Sequence, residues 1–147
     1  MNIRIVLVLG CLLALGCDDH QLETNFFNQP LADRVERLRK YPLVDQYKIF
    51  RYGNDMREPP FMDLADPIAE KGPAAIPFLM DQLKSHSDDM TIRDILLIFE
   101  TMATSKSYDV KSDSAVMGVL TSKVASMKSE AWRDNCLKMV QRIKDSG

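Results

Sequence analysis

Long hydrophobic runs are scarce in this chain of 147 residues. The one sustained run, Ile5 to Leu15, is about half of the roughly 20 apolar residues that a membrane-spanning helix needs. Histidine is scarcer still, with only His20 and His86, and the three cysteines are dispersed at Cys11, Cys17 and Cys136. No Cys/His spacing among them could assemble a structural zinc site. The six glycines form neither a phosphate-cradling loop nor a Gly-x-Ser-x-Gly elbow, so two common routes to nucleotide and ester chemistry have no carrier here. Basic charge is not in excess either: 19 Lys and Arg stand against 21 Asp and Glu, interleaved rather than striped, which argues against a nucleic-acid surface. Period-2 alternation bounded by hairpin turns is missing as well, so no substantial sheet is expected.

What the chain does have begins at the N-terminus. Met1-Asn2-Ile3-Arg4 supplies one positive charge, Ile5 to Leu15 an apolar core, and Asp18, Asp19 and His20 end that core abruptly. This is the layout of a secretion leader. The stretch Ala14-Leu15-Gly16-Cys17 resembles the lipobox of bacterial lipoproteins, although Ala14 stands where Leu is commonest in that family. The resemblance implies that residues 1–16 are a signal peptide and that Cys17 is acylated, carries fatty chains such as palmitate, and starts the mature protein. It also implies a body held in the periplasm on a lipid anchor; Asp18 resembles the signal that keeps such proteins in the inner membrane of enteric bacteria. An ordinary cleaved signal with an incidental Cys17 is the other reading of these residues. Cys11 follows Gly10, but the apolar core before it is too short. With Cys17 acylated, Cys136 is the one thiol left, and its four-residue spacing from Trp132 and Val140 places it in a core stripe rather than in a reactive site.

Residues 17–29 are expected to form the lipidated N-terminus and a flexible tether, reaching at most roughly 40 Å when extended, with Phe26 and Phe27 docking on the body. Residues 30–147 read as a single all-α domain of short antiparallel helices. Leu31, Val35 and Leu38 mark the first helix, and Val44, Tyr47 and Phe50 the second, with Tyr52-Gly53-Asn54 and Pro59-Pro60 expected to break the pattern. Leu64, Ile68 and Ala69 lie on a short helix that Gly72-Pro73 ends; Ile76, Leu79, Met80 and Leu83 then recur at i, i+3, i+4, i+7. Asp89 is expected to cap the next helix, whose Ile92, Ile95, Leu96, Leu97, Ile98, Phe99 and Met102 make it apolar almost all round and hence the most buried element. After a longer loop from Ser105 to Lys111, two final helices carry Val116, Val119, Leu120, Val124 and Met127, then Trp132, Cys136, Leu137, Val140 and Ile143.

Within this pattern, Ala69 to Gly72, Ala75 to Leu79 with Leu83, and Asp89 with Ile92-Arg93 and Leu96 resemble a HEAT-type helical repeat. In that family the Asp and Arg link the turns of neighbouring repeats, roles that fall on Asp89 and Arg93. An irregular helical bundle is the alternative.

Few residues suggest chemistry. The acid pairs Asp18-Asp19 and Asp88-Asp89 are explained by sorting and capping, and Met80, Met102 and Met127 fall on core stripes. No catalytic residue, metal ligand or cofactor is assigned. Surplus features lie between Tyr41 and Phe61, where aromatic rings are interspersed with Lys48, Arg51, Arg57, Asp55 and Glu58; aromatic residues with Arg are the types enriched at interface hot spots. Tyr47, Arg51, Tyr52 and Arg57 are the candidate partner-binding residues, against the alternative that this region is a structural cap. The expectation is thus a lipid-anchored, non-catalytic protein-interaction module of the bacterial envelope, a scaffold or an immunity or inhibitor protein. A periplasmic binder of an apolar ligand held between helices is the second reading.

Overall fold

The computed structural model describes residues 20–57 and 59–146. The leader and Cys17 lie outside the described residues, as do Asp18 and Asp19. Among the described residues the chain is all-α, with eight helices and no strand. They are α1 (Gln21–Phe27), α2 (Arg34–Leu38), α3 (Leu43–Met56), α4 (Asp66–Ala69), α5 (Ile76–Ser85), α6 (Asp89–Ser105), α7 (Ser114–Ala125) and α8 (Glu130–Asp145). Short 3-10 turns precede α2, α4, α5 and α7. None of these helices is long and apolar enough to cross a membrane.

The axis of the fold is α6, against which α3, α4, α5, α7 and α8 all pack. Its near-continuous apolar composition demands this, since a helix without a polar face needs neighbours on every side. Ile95, Leu96, Ile98, Phe99 and Met102 are all fully buried. Consecutive helices joined by short turns, α5–α6 through His86–Asp88 and α7–α8 through Ser126–Ser129, fold back as helical hairpins. Asp88, not Asp89, caps α6: its backbone is extended and its Oδ1 accepts from the Thr91 amide at 2.8 Å. Asp89 is released for another task, accepting from the amides of Lys128 and Ser129 at 2.7–3.1 Å across the α7–α8 turn. Asp113 caps α7 and Ser129 caps α8 in the usual side-chain-to-amide manner. At the α2–α3 corner, fully buried Gln46 donates to the carbonyls of Leu38 and Tyr41 at 3.0 Å, satisfying helix-end acceptors that would otherwise be stranded.

Two further expectations are corrected. Residues from Gln21 to Phe27 form a helix packed on α3, so this part of the segment read as a flexible tether is folded. The cause is aromatic: Phe26 is fully buried, edge-on to Tyr41 and to Phe27, and Phe27 stacks on Phe61 at 5.6 Å. Nor does Tyr52-Gly53-Asn54 break α3, which runs on to Met56. Gly53 costs the helix about 1 kcal/mol in propensity, and the packing of α1 explains its presence, because a Cβ there would stand 2.7 Å from the tip of the Phe27 ring. Gly72 has a stricter reason: its φ is +53° and a Cβ would lie 2.6 Å from the Ser107 carbonyl oxygen. There the α4–α5 turn meets the segment after α6, and the Ser107 hydroxyl donates to the Ala69 carbonyl at 2.7 Å.

The contrast between two glycines gives a test. Gly118, on the exposed side of α7, has nothing within 4 Å of its Cβ position. Gly118→Ala should raise the unfolding free energy in urea by about 0.5–1 kcal/mol through helix propensity alone. Gly72→Ala should lower it by at least about 1–3 kcal/mol, because positive φ and a backbone contact oppose it together.

Candidate functional site

An open groove of about 550 Å³ has α3 as one wall and α5, the α5–α6 turn and the start of α6 as the other. Val44, Tyr47, Lys48, Arg51, Tyr52 and Asp55 come from α3, while Phe78, Gln82 and His86 face them from α5 and its end. His20, just before α1, and Glu23 of α1 close one end, 3.9 Å apart. Both histidines of the chain, remote in sequence, therefore line one groove. No cluster of metal-ligating side chains exists among the described residues.

Three of the four sequence candidates, Tyr47, Arg51 and Tyr52, come together here. Arg57 does not: it lies beyond the C-terminal end of α3, its guanidinium 5.0 Å over the Phe61 ring. The three are not equivalent. Tyr47 is buried and packs edge-on against Phe78 at 5.3 Å, and burial pushes its hydroxyl above the ordinary phenol range. Tyr52 is half-buried, with the His20 ring at 5.2 Å and the Phe27 ring at 5.9 Å.

Arg51 is committed inward. Its Nε lies 3.1 Å from Oδ2 of Asp94, an ion pair without linear hydrogen-bond geometry, and it also donates to the Thr91 hydroxyl and lies over the Tyr47 ring. Asp94 is completely buried in α6. Its Oδ1 accepts from Asn54 at 3.1 Å and from Arg93 Nε and Nη2 at 2.9 and 2.7 Å. Burial pushes the Asp94 carboxyl up, opposed by the Arg93 and Arg51 guanidinium groups and the Asn54 amide. Arg93 in turn lies 5.0 Å over the Trp132 ring, tying the same carboxylate to α8. The sequence reading missed Asp94, because a carboxylate in an apolar helix gives no local sign of partners 40 positions away.

A second, more enclosed cavity of about 220 Å³ lies between α3, α6 and α8. Met62, Leu97, Trp132 and Met139 supply its apolar walls, and Asn54 and Arg93 its polar side. Cys136 also borders it, but this thiol is 1% exposed and burial pushes its pKa up to about 11. It is a core residue with negligible thiolate at neutral pH, matching its position on the α8 stripe.

The inward commitment of Arg51 separates binding from stability. Arg51→Ala strips one cation from a buried carboxylate and should lower the unfolding free energy by on the order of 3 kcal/mol. Lys48→Ala, on the exposed side of the same helix, should change it by less than about 0.5 kcal/mol. Urea unfolding of the two variants side by side checks this, and equal losses would show that the Asp94 pair is not what holds α3 to α6.

No family model, no curated protein and no solved structure matches the chain.

Proposed function

We propose that the chain is a lipoprotein of the bacterial envelope, anchored through acylated Cys17, whose helical body is a non-catalytic protein-interaction module. Scaffold and immunity or inhibitor roles both fit this description. The observation that carries it is the groove: an open, pre-formed cleft that brings Tyr47, Tyr52, Phe78 and Arg51 together, aromatic residues and Arg being the types enriched at interface centres. Support for HEAT-like stacking comes from two residues on which the family resemblance puts structural roles. Asp89 reaches from the start of α6 to the next inter-helix turn, and Arg93 reaches from α6 to Trp132 of α8. The anchor reading rests on the leader and the Ala14-Leu15-Gly16-Cys17 stretch, with the body in the periplasm and Asp18 favouring the inner membrane.

The second reading, an apolar ligand held between helices, is favoured by the cavity walled by Leu97, Trp132 and Met139. Its size ranks it second: about 220 Å³ is below the roughly 300–1,000 Å³ of typical small-molecule pockets.

Intact mass after membrane extraction, wild type against Cys17→Ser, reads the anchor, and affinity capture of cross-linked envelope proteins from the same cells reads the partner. A lipid-bearing chain starting at Cys17 with one specific partner is expected. Capture should fall with Gln82→Ala and His86→Ala, which alter the α5 wall without touching Asp94 or its partners. An unmodified chain would remove the anchor, and lipidation without a partner but with a co-purified apolar molecule would promote the second reading.

A further inference from the structure

The folding of α1 changes the geometry of anchoring. Only three peptide units separate Cys17 from His20, so their Cα atoms are at most about 11 Å apart. His20 begins the folded body: its carbonyl accepts from the Thr24 amide at 2.9 Å and its ring lies 5.2 Å from that of Tyr52. A tether of a dozen residues would leave the body free to turn, whereas this spacing brings one side of α3 to the membrane.

That side has a distinctive composition. Val44, Lys48, Tyr52 and Met56 follow one another at i, i+4 spacing and so form a single row along α3, about 18 Å long. Val44 and Met56 are 48% and 62% exposed, two of the four large apolar side chains that stand out into solvent among the described residues. Between them sit Tyr52, with an apolar ring and a polar tip, and Lys48, whose stem lies along apolar surface while its ammonium stays in water. These side chains are suited to the boundary between headgroups and acyl chains. Asp45 and Asp55 flank the row, so it matches a headgroup layer carrying both signs of charge rather than a purely anionic one.

We infer that the Val44–Lys48–Tyr52–Met56 row rests on the headgroup layer of the membrane that holds the Cys17 anchor. The inference rests on acylation of Cys17. Val44, Lys48 and Tyr52 are also the α3 wall of the groove, so the groove then opens at the bilayer surface, and a partner entering it along Gln82 and His86 lies at that surface rather than deep in the periplasm.

The test places a nitroxide at Met56→Cys, with Ser112→Cys as reference, in the full chain expressed with its leader and reconstituted into vesicles of phosphatidylethanolamine and phosphatidylglycerol. Ser112 belongs to the turn packed on α6, and residue 105 at the end of that helix is about 16 Å along its axis from Asp94. Buried Cys136 does not compete for the label, and where Cys17 carries no lipid the reading is repeated with Cys11→Ser and Cys17→Ser so that residue 56 or 112 alone is labelled. Intact mass of each sample reports lipid on Cys17, and a water-soluble nickel collider reports exposure of the label. Lipid on Cys17 with the residue 56 label losing most of its collisions and the residue 112 label keeping them is the expected result. Lipid on Cys17 with both labels equally open overturns the orientation and leaves the anchor standing. With no lipid on Cys17, a shielded residue 56 upholds the row as a membrane surface while the anchor falls, and two open labels overturn both.

Discussion

A carboxylate without water around it holds this molecule to one arrangement. Asp94 is completely buried in the central helix α6, where an unpaired charge would be far more costly than any single contact is worth. It is tolerated because α3 brings Arg51 and Asn54 to one side and Arg93 approaches within α6 itself. Arg93 lies over Trp132, so the same charge fixes where α8 crosses α6. Rotating or sliding either neighbouring helix would strand Asp94. Hydrophobic packing alone tolerates slippage between helices; an ion cluster at their crossing does not.

This constraint also shapes the groove. With Arg51 drawn inward to Asp94, one side of the cleft is floored by a guanidinium already neutralised, and the surface left for a partner comes from Lys48, Tyr52, Gln82 and His86. Binding surface and structural cap, offered by the sequence as alternatives, are thus divided between residues of one helix. Tyr47 and Arg51 serve packing, while Lys48 stays exposed and Tyr52 partly so.

Aromatic packing accounts for the other departure. The polar composition of residues 18–29 suggested a leash, yet Phe26 and Phe27 bury enough ring surface against Tyr41 and Phe61 to hold a seven-residue helix in place. Gly53 makes room for that contact, which is why it occurs in the middle of a helix where its propensity argues against it. The same glycine led the sequence reading to end α3 early.

Hydrophobic periodicity by itself determined the helical class, the succession from α4 to α8, the burial of α6 and the core position of Cys136, because 3.6-residue spacing is a local property that packing only confirms. Neighbouring residues are enough to express it. The choice between Asp88 and Asp89 as the cap, the continuation of α3 through Gly53, the folding of α1 and the meeting of both histidines in one groove were decided by tertiary structure. Each depends on groups that the chain brings together from distant segments: Lys128 draws Asp89 away from capping, Phe27 requires Gly53, and Arg51 answers a charge 43 residues further along. Such pairings carry no local signal, since the free energy that selects them appears only when the helices have docked.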